Sequence, residues 1–355
     1  MKTNWQTKKI GEILKLEYGK PLPKEKRSLE GKHPVYGANG EKDRSNDFYF
    51  DKPSIIVGRK GSAGELTLVK EKFWPLDVTY FVTFDDKKYD LTFLYHLLET
   101  LELTKLAKGV KPGINRNEVY AIEVNVPPLP EQERIIKILD EAFEKLEKAK
   151  QNAENNLSNS KELFESYTKN VFKKTKFNQE NLNNISQNLD NKRIPITKRV
   201  RSSGEYPYYG ASGIVDYVGE YIFDENLLLV SEDGANLLAR TYPIAFSISG
   251  KTWVNNHAHV LKFKEIDTQK FVEYYLNSIK LDDFVSGMAQ PKLNQKMLNS
   301  ILIPYPSLKK QKAIVKKLDQ LSEQTKKLES IYQKKLSTIE ELKKSILRKA
   351  FSKGL

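Results

Sequence analysis

Two long stretches of this chain place apolar residues at steps of four and three. The first series runs Ile135, Leu139, Ala142, Leu146, Ala149 and Ala153, then Leu163 and Tyr167, with Asn156 and Ser160 interrupting it. The second runs Ile314, Leu318, Leu321, Thr325, Leu328, Tyr332, Ile339, Leu342 and Ile346. Such steps make a heptad seam, which keeps one face of a helix turned to a partner. Each seam predicts a helix of about 40 residues, roughly 60 Å long. A seam of that length needs cover. The other copy is the nearest candidate, and a globular segment joining the two favours an antiparallel pair. Two separate amphipathic helices, each on its own domain, are the alternative. Both stretches exceed ordinary helix length and are polar around the far side, which favours pairing. The remaining chain changes period. Runs such as SIIVG, TYFVTF, YIFDENLLLVS and HAHVLKF, separated by Gly, Asn, Asp and Pro, read as strands. One shorter helix per half is expected, at 91–103 and 268–279.

The chain also repeats itself. VPPLPEQERIIKILD (126–140) matches YPSLKKQKAIVKKLD (305–319), pairing Gln132 with Gln311 at an offset of 179. Every member of the first seam, advanced by that offset, falls on the second. The same offset aligns GVKPGINRNEVYAIEV with GMAQPKLNQKMLNSILI, and SYTKNVF with SILRKAF. Nearer the N-terminus the offset becomes 173, aligning HPVYGANG (33–40) with YPYYGASG (206–213) and SIIVGRKGSAG with LLLVSEDGANL. The chain is therefore two diverged copies of one unit, each a globular part followed by a long helix. A Pro-rich turn before each helix stops the preceding strand and sets the helix entry.

At 355 residues, with 39% hydrophobic and 10% aromatic residues, the chain suits two or three domains with real cores. It has no cysteine, which excludes disulfides, thiolate metal sites and a cysteine nucleophile, and fits a reducing cytoplasm. No apolar run is long enough to span a bilayer, and the N-terminal residues lack the apolar core of a secretory signal, so a cytoplasmic protein with no membrane partner is expected. Lys plus Arg number 59 against 46 acidic residues, a net charge of +13. That balance favours a polyanionic partner such as nucleic acid. A Lys-rich proteome gives the same excess without one, so charge alone leaves both readings open.

The order of globular part, helix, globular part, helix, with PPLPEQERII and its weaker copy PSLKKQKAIV before the helices, resembles the specificity (S) subunit of type I restriction–modification systems. Paired YGANG and YGASG turns, and GINRNEV with KLNQKML, carry the resemblance across essentially the whole chain. Lys310 stands where Glu131 sits in the first copy, a departure from the pattern. The resemblance implies an α+β fold: two similar target recognition domains separated by two long helices forming an antiparallel coiled coil, a pseudo-two-fold repeat. The expected segments are 1–130 and 173–307 for the recognition domains, and 131–172 and 308–355 for the spacer helices. It further implies a subunit that reads an asymmetric bipartite target in double-stranded DNA. Partners would be two adenine methyltransferase subunits and endonuclease/translocase subunits, with S-adenosylmethionine, ATP and magnesium belonging to them and no cofactor of its own. A specificity subunit of a related type II-like system, or a coiled-coil scaffold without DNA-reading role, are the alternatives.

The chain offers no catalytic constellation that would hold up. GRKGSAGE lacks the Lys-Ser/Thr that completes a phosphate loop, and its copy SEDGANLL is acidic, so both read as turns. NVPPLP faintly resembles the Asn-Pro-Pro-aromatic element of amino-methyltransferases, but Val126 and Leu129 depart from it and a glycine-rich cofactor loop is missing nearby. The histidines are His33, His96, His257 and His259. NNHAH (255–259) presents two on alternate positions, with no acidic or histidine partner at sensible spacing, so packing or DNA contact is preferred to a metal site.

DNA affinity should come from cations on phosphate, and sequence reading from Arg, Lys, Asn and Gln on base edges. In the first copy the candidates are Lys24, Lys26 and Arg27, then Arg44, then Arg59 and Lys60, then Lys108, Lys111, Asn115 and Arg116. In the second they are Lys192, Arg193, Lys198, Arg199 and Arg201, then Arg240, then Gln290, Lys292 and Asn294. Tyr36, Tyr208 and Tyr209 are candidates for packing against sugar or base. For each, a solvated charge or a core ring is the plain alternative. The GRKG turn and the KPG and QPK turns are favoured first. The basic tail KKSILRKAFSKGL is expected to meet a partner subunit or phosphate.

Overall fold

The computed structural model describes residues 5–174, 177–287 and 290–353. The chain forms two compact units, one of Met1–Ala153 with Lys334–Leu355, the other of Glu154–Gln333. Each is α+β, and the two are built alike.

The first unit is centred on a four-stranded antiparallel sheet, in the order Leu14–Tyr18, Thr79–Phe84, Ser54–Gly58, Leu66–Val69. Every residue of SIIVG is buried. A short β-branched run without alternation suits a strand covered on both faces. The second unit repeats the sheet with Gln187–Asn188, Ala258–Lys262, Leu227–Ser231 and Ala245–Ile248. The registers correspond: Val57 lies opposite Tyr80, and Val230 opposite His259. Each unit adds a hairpin sheet, built on His33–Gly37 or Ser203–Gly210, and a closing strand pair that joins its beginning to its end. The expected shorter helices span Leu91–Thr100 and Ile266–Ser278.

The repeated glutamine explains the repeated turn. Gln132 is fully buried, and its amide nitrogen donates to the carbonyls of Lys88 (3.0 Å) and Pro127 (2.9 Å). Its carbonyl accepts from the Asp90 backbone N–H (2.9 Å), and the Asp90 side chain caps the helix Leu91–Thr100 through Phe93 N–H. Gln311 does the same in the second unit, donating to the Pro306 carbonyl (2.8 Å) and accepting from the Thr268 hydroxyl (2.7 Å). One side chain thus ties the strand exit, the long-helix entry and the start of the shorter helix. Buried polar groups must be paired, so nothing apolar replaces it at no cost.

The long helices run Leu129–Lys174 and Leu308–Lys353, 46 residues each and about 69 Å long. Within the first unit their segments are antiparallel: Lys150 pairs with Glu340 at 3.0 Å, and the Lys343 ammonium lies 5.2 Å from the Phe143 ring centre. Leu347, Ala350 and Phe351 are buried in the same core as Ile135 and Leu139, and the Phe351 ring sits 5.0 Å from Phe93. The apolar residues of the basic tail therefore serve this core, while Lys343, Lys344 and Lys349 stay exposed. In the second unit, Phe172 packs on Phe271 and Tyr275, with Val315 and Leu318 in the same cluster.

The seam needs correction in four places. Leu163 is 62% exposed, Leu342 45% and Leu328 41%, and Tyr167 is also on the outside. Ser160 and Thr168 take the inward positions on the first helix, each hydroxyl donating to the carbonyl four residues back, of Asn156 and Phe164. That bond removes the cost of burying a hydroxyl, so the heptad runs on from Ala153 instead of skipping to Leu163. On the second helix Thr325 and Ile339 hold the inward positions beside Leu328 and Leu342. Ile135, Leu139 and Leu318 are buried, and Ala142, Leu146, Ile314, Leu321 and Ile346 half-buried. Among the described residues no helix is long and apolar enough to cross a membrane.

Truncating Phe172 or Phe351 to Ala should cost about 3–5 kcal/mol, and Leu163→Ala less than about 0.5 kcal/mol. Gln132→Leu should cost about 1–3 kcal/mol by stranding its partners. Urea unfolding of the single variants checks all of these.

Candidate nucleic-acid interface

Two turns far apart in sequence form one surface in each unit. In the first, Gly61 N–H donates to the Pro112 carbonyl (2.9 Å) and Ile114 N–H to the Arg59 carbonyl (3.1 Å). Lys108 and Gly113 exchange backbone bonds at 3.0 Å each. The GRKG and KPG turns are thereby fused. The second unit repeats the construction: Gly234 N–H donates to Pro291 (3.0 Å), Leu293 N–H to Glu232 (2.8 Å), and Ser286 and Lys292 exchange bonds. Gly61 and Gly234 both have positive φ, +81° and +109°, a conformation side-chain-bearing residues rarely adopt. Met288 and Ala289 of the second copy's turn lie outside the described residues.

The two surfaces share a backbone and carry opposite chemistry. In the first unit Tyr18 is 47% exposed, with the Arg59 and Arg116 guanidinium carbons 5.4 and 4.9 Å from its ring centre. The ring meets Tyr80 edge-on at 5.1 Å. Arg59 donates to the Asp77 carbonyl (3.0 and 2.6 Å), and Arg116 reaches the Leu16 carbonyl at 3.4 Å. Sequence reasoning passed over Tyr18. Only the pairing of Leu14–Tyr18 with Thr79–Phe84 brings it beside the two turns.

In the second unit the strand position of Tyr80 is taken by His259, which is 1% exposed. The Asp190 carboxylate faces its Nδ1 at 2.6 Å, and its Nε2 donates to the Leu293 carbonyl at 2.7 Å, which anchors the QPK turn. Glu232, in the position of Arg59, accepts from Arg193 (2.6 Å) and pairs with Lys292 (3.3 Å). His257 is paired with Asp233 at 2.8 Å. Both histidines of NNHAH therefore have acidic partners, contrary to the sequence reading; Asp190 and Asp233 approach through tertiary pairing and not through spacing. Burial pushes the Asp190 carboxyl up, but the His259 hydrogen bond and charge, the Val260 N–H and the Arg193 guanidinium outweigh it and hold the group below the ordinary aspartate range. Asp190, Glu232 and His259 place ligand atoms within 4.8 Å of one another, a spacing that could hold a metal ion. Arg193 already supplies the cation there, 2.6 Å from Glu232 and 3.5 Å from Asp190, so the cluster is read as a self-neutralised ion network.

Several of the residues expected at DNA have partners within the protein. Arg27 and Arg201 do the same work in the two copies: each donates to a carbonyl five residues back, of Leu22 or Ile196, and pairs with a hairpin carboxylate, Asp43 or Asp216. Arg44 donates to the Gly31 and Lys32 carbonyls, Arg193 to those of Asp190 and Ala258, and Arg240 to those of Leu276 and Ile279. A guanidinium has several donors in a fixed fork, so buried carbonyls recruit it. Asn115 and Asn294 cap short helices through their side-chain oxygens. Lys26 pairs with Asp47 and Lys108 with Glu118. Tyr36 and Tyr208 are buried rings and Tyr209 is half-buried. Lys24, Lys60, Lys111, Lys192, Lys198, Arg199 and Gln290 stay exposed, and the cations among them form no ion pair among the described residues.

Residues 2–156 and 173–341 both match the family of the type I restriction modification DNA specificity domain. A Haemophilus influenzae protein assigned as a type I restriction enzyme specificity subunit is 38% identical over 141 residues, 40% of this chain and 36% of that protein. The EcoDI specificity subunit of Escherichia coli is 23% identical, across 98% of this chain and 88% of that one. Among solved structures, a chain of a type I R-M system, described for its complex assembly and conformational transition, aligns with a TM-score of 0.78 at 16% identity, covering 99% of this chain and 98% of that chain. The HsdS subunit of Thermoanaerobacter tengcongensis aligns at 0.60 and 16% identity, covering 99% and 97%. These likenesses show the fold.

Because folding lowers the Asp190 pKa, its contribution is complete above the ordinary aspartate value of about 4 and is lost as pH falls through the folded value. Asp190→Asn should cost about 3–5 kcal/mol at neutral pH. Urea unfolding should show the gap to the parent chain narrowing as pH is lowered from about 5 to 3.

Proposed function

The chain belongs to the type I restriction–modification DNA specificity family, and from that premise we propose that it reads duplex DNA in two unlike half-sites, one per unit. Its partners are adenine methyltransferase subunits, two in number, and endonuclease subunits, which carry the chemistry. This chain supplies recognition and a helical scaffold.

The carrying observation is the turn pair built twice on the same backbone bonds with inverted charge: Arg59 and Lys60 in one unit, Glu232 and Asp233 in the other. A duplicated frame with diverged side chains is what reading two different half-sites requires. An uninterrupted helix, not a loop, leads from one globular part to the next. That supports a target whose halves stand a set number of base pairs apart, as paired readers fix half-site spacing. The exposed lysines on the turns supply phosphate contacts.

Expression with its methyltransferase subunit in a host without adenine methylation, followed by sequencing of modified bases, tests this. A split motif with a constant gap, absent when this chain is omitted, is expected. Exchanging residues of one globular part for those of a relative should change one half of the motif only. Methylation unaffected by omission would overturn the reading and leave a scaffold. Lys60→Ala with Lys111→Ala should weaken binding to all sequences alike and lower the salt slope of log K by about 2, measured by titrating labelled duplex at several salt concentrations.

A further inference from the structure

We propose that Arg59 and Arg116, positioned by Tyr18, form a guanine-reading element in the first unit, and that the second unit has no counterpart. The inference rests on the DNA-reading function above and names a base class at one site.

Charge sets these two arginines apart. The other arginines of the first unit each have a carboxylate within ion-pair distance: Arg27 with Asp43, Arg44 with Glu41, Arg134 with Glu131, Arg348 with Glu102. Arg59 and Arg116 have none among the described residues, yet both lie within 5.4 Å of one tyrosine ring centre. Two like charges held this close repel each other, and the negative face of the ring offsets only part of that. The arrangement is completed by an electron-rich ligand.

The geometry favours a base edge over a phosphate. Both guanidinium groups are half-buried and tethered to backbone carbonyls, Arg59 by two bonds to Asp77 and Arg116 to Leu16. A tethered, planar fork with donors left over suits the paired acceptors O6 and N7 of guanine in the major groove. The flexible, exposed ammonium groups of Lys60 and Lys111 on the adjoining turns suit phosphate. Tyr18 acts through the arginines: its ring, braced on Tyr80, fixes the plane against which both forks lie. In the second unit Asp190, His259 and Glu232 occupy the matching positions, and Arg193 is spent on neutralising them. That site presents no free fork.

The test is the methylation map of the complex carrying Arg59→Lys, Arg116→Lys, Tyr18→Phe or Tyr18→Ala. Lysine keeps the charge and loses the fork. A guanine in the half-site read by the first unit is expected to become degenerate in both lysine variants, with discrimination falling about tenfold to a hundredfold. Tyr18→Ala should loosen the same base, and Tyr18→Phe should leave it intact. The half-site read by the second unit should stay unchanged in every variant, which also shows that the complex is folded. An unchanged motif with uniformly weaker methylation would make the arginines phosphate contacts and overturn the proposal. So would relaxation at an adenine or pyrimidine instead. Failure of the DNA-reading function itself is distinct: the parent complex would then give the same methylation with and without this chain.

Discussion

Everything proposed for the surface depends on a few backbone hydrogen bonds between two turns about fifty residues apart. Gly61 to Pro112 and Arg59 to Ile114 fuse the turns in the first unit, and Gly234 to Pro291 and Glu232 to Leu293 fuse them in the second. Main-chain groups make these bonds, so they hold whatever side chains the turns carry. Each bond gives a main-chain group of the turns a partner within the unit. Outside the glycines at positive φ, a surface held this way can change its side chains and keep its shape. Divergence of recognition within a constant frame needs that property.

The side chains have diverged in different electrostatic directions. In the second unit Asp190, Glu232, Arg193, Lys292 and His259 satisfy one another, and His259 also ties the QPK turn to the sheet. Such a network is largely spent on itself, because removing Arg193 would leave two half-buried carboxylates without their shared guanidinium. In the first unit the same place holds two tyrosines and two arginines without carboxylates. Its charge is directed outward, where a polyanion can answer it.

The long helices are anchored at both ends by the cores they serve. Gln132 and Gln311 fix each start, and Phe172 and Phe351 close each finish against an aromatic ring of a shorter helix. In between, small hydroxyls at Ser160 and Thr168 occupy the inward face.

The sequence by itself determined the duplication, the alternation of globular part and long helix, the seam at Ile135, Leu139 and Leu318, and the paired glycine turns. Each of these is local: a period, a repeated word or a residue that tolerates positive φ. It misjudged Leu163 because hydrophobicity cannot show that a backbone carbonyl satisfies Ser160. It grouped Arg27, Arg44, Arg193 and Arg201 with Arg59 and Arg116 because charge does not reveal which guanidinium groups a carboxylate will neutralise. Tyr18 and the acidic partners of His257 and His259 were invisible, since strand pairing alone brings them to their sites. Which cations remain free to face a ligand is a property of the whole fold, fixed only when every buried acceptor has taken its donor.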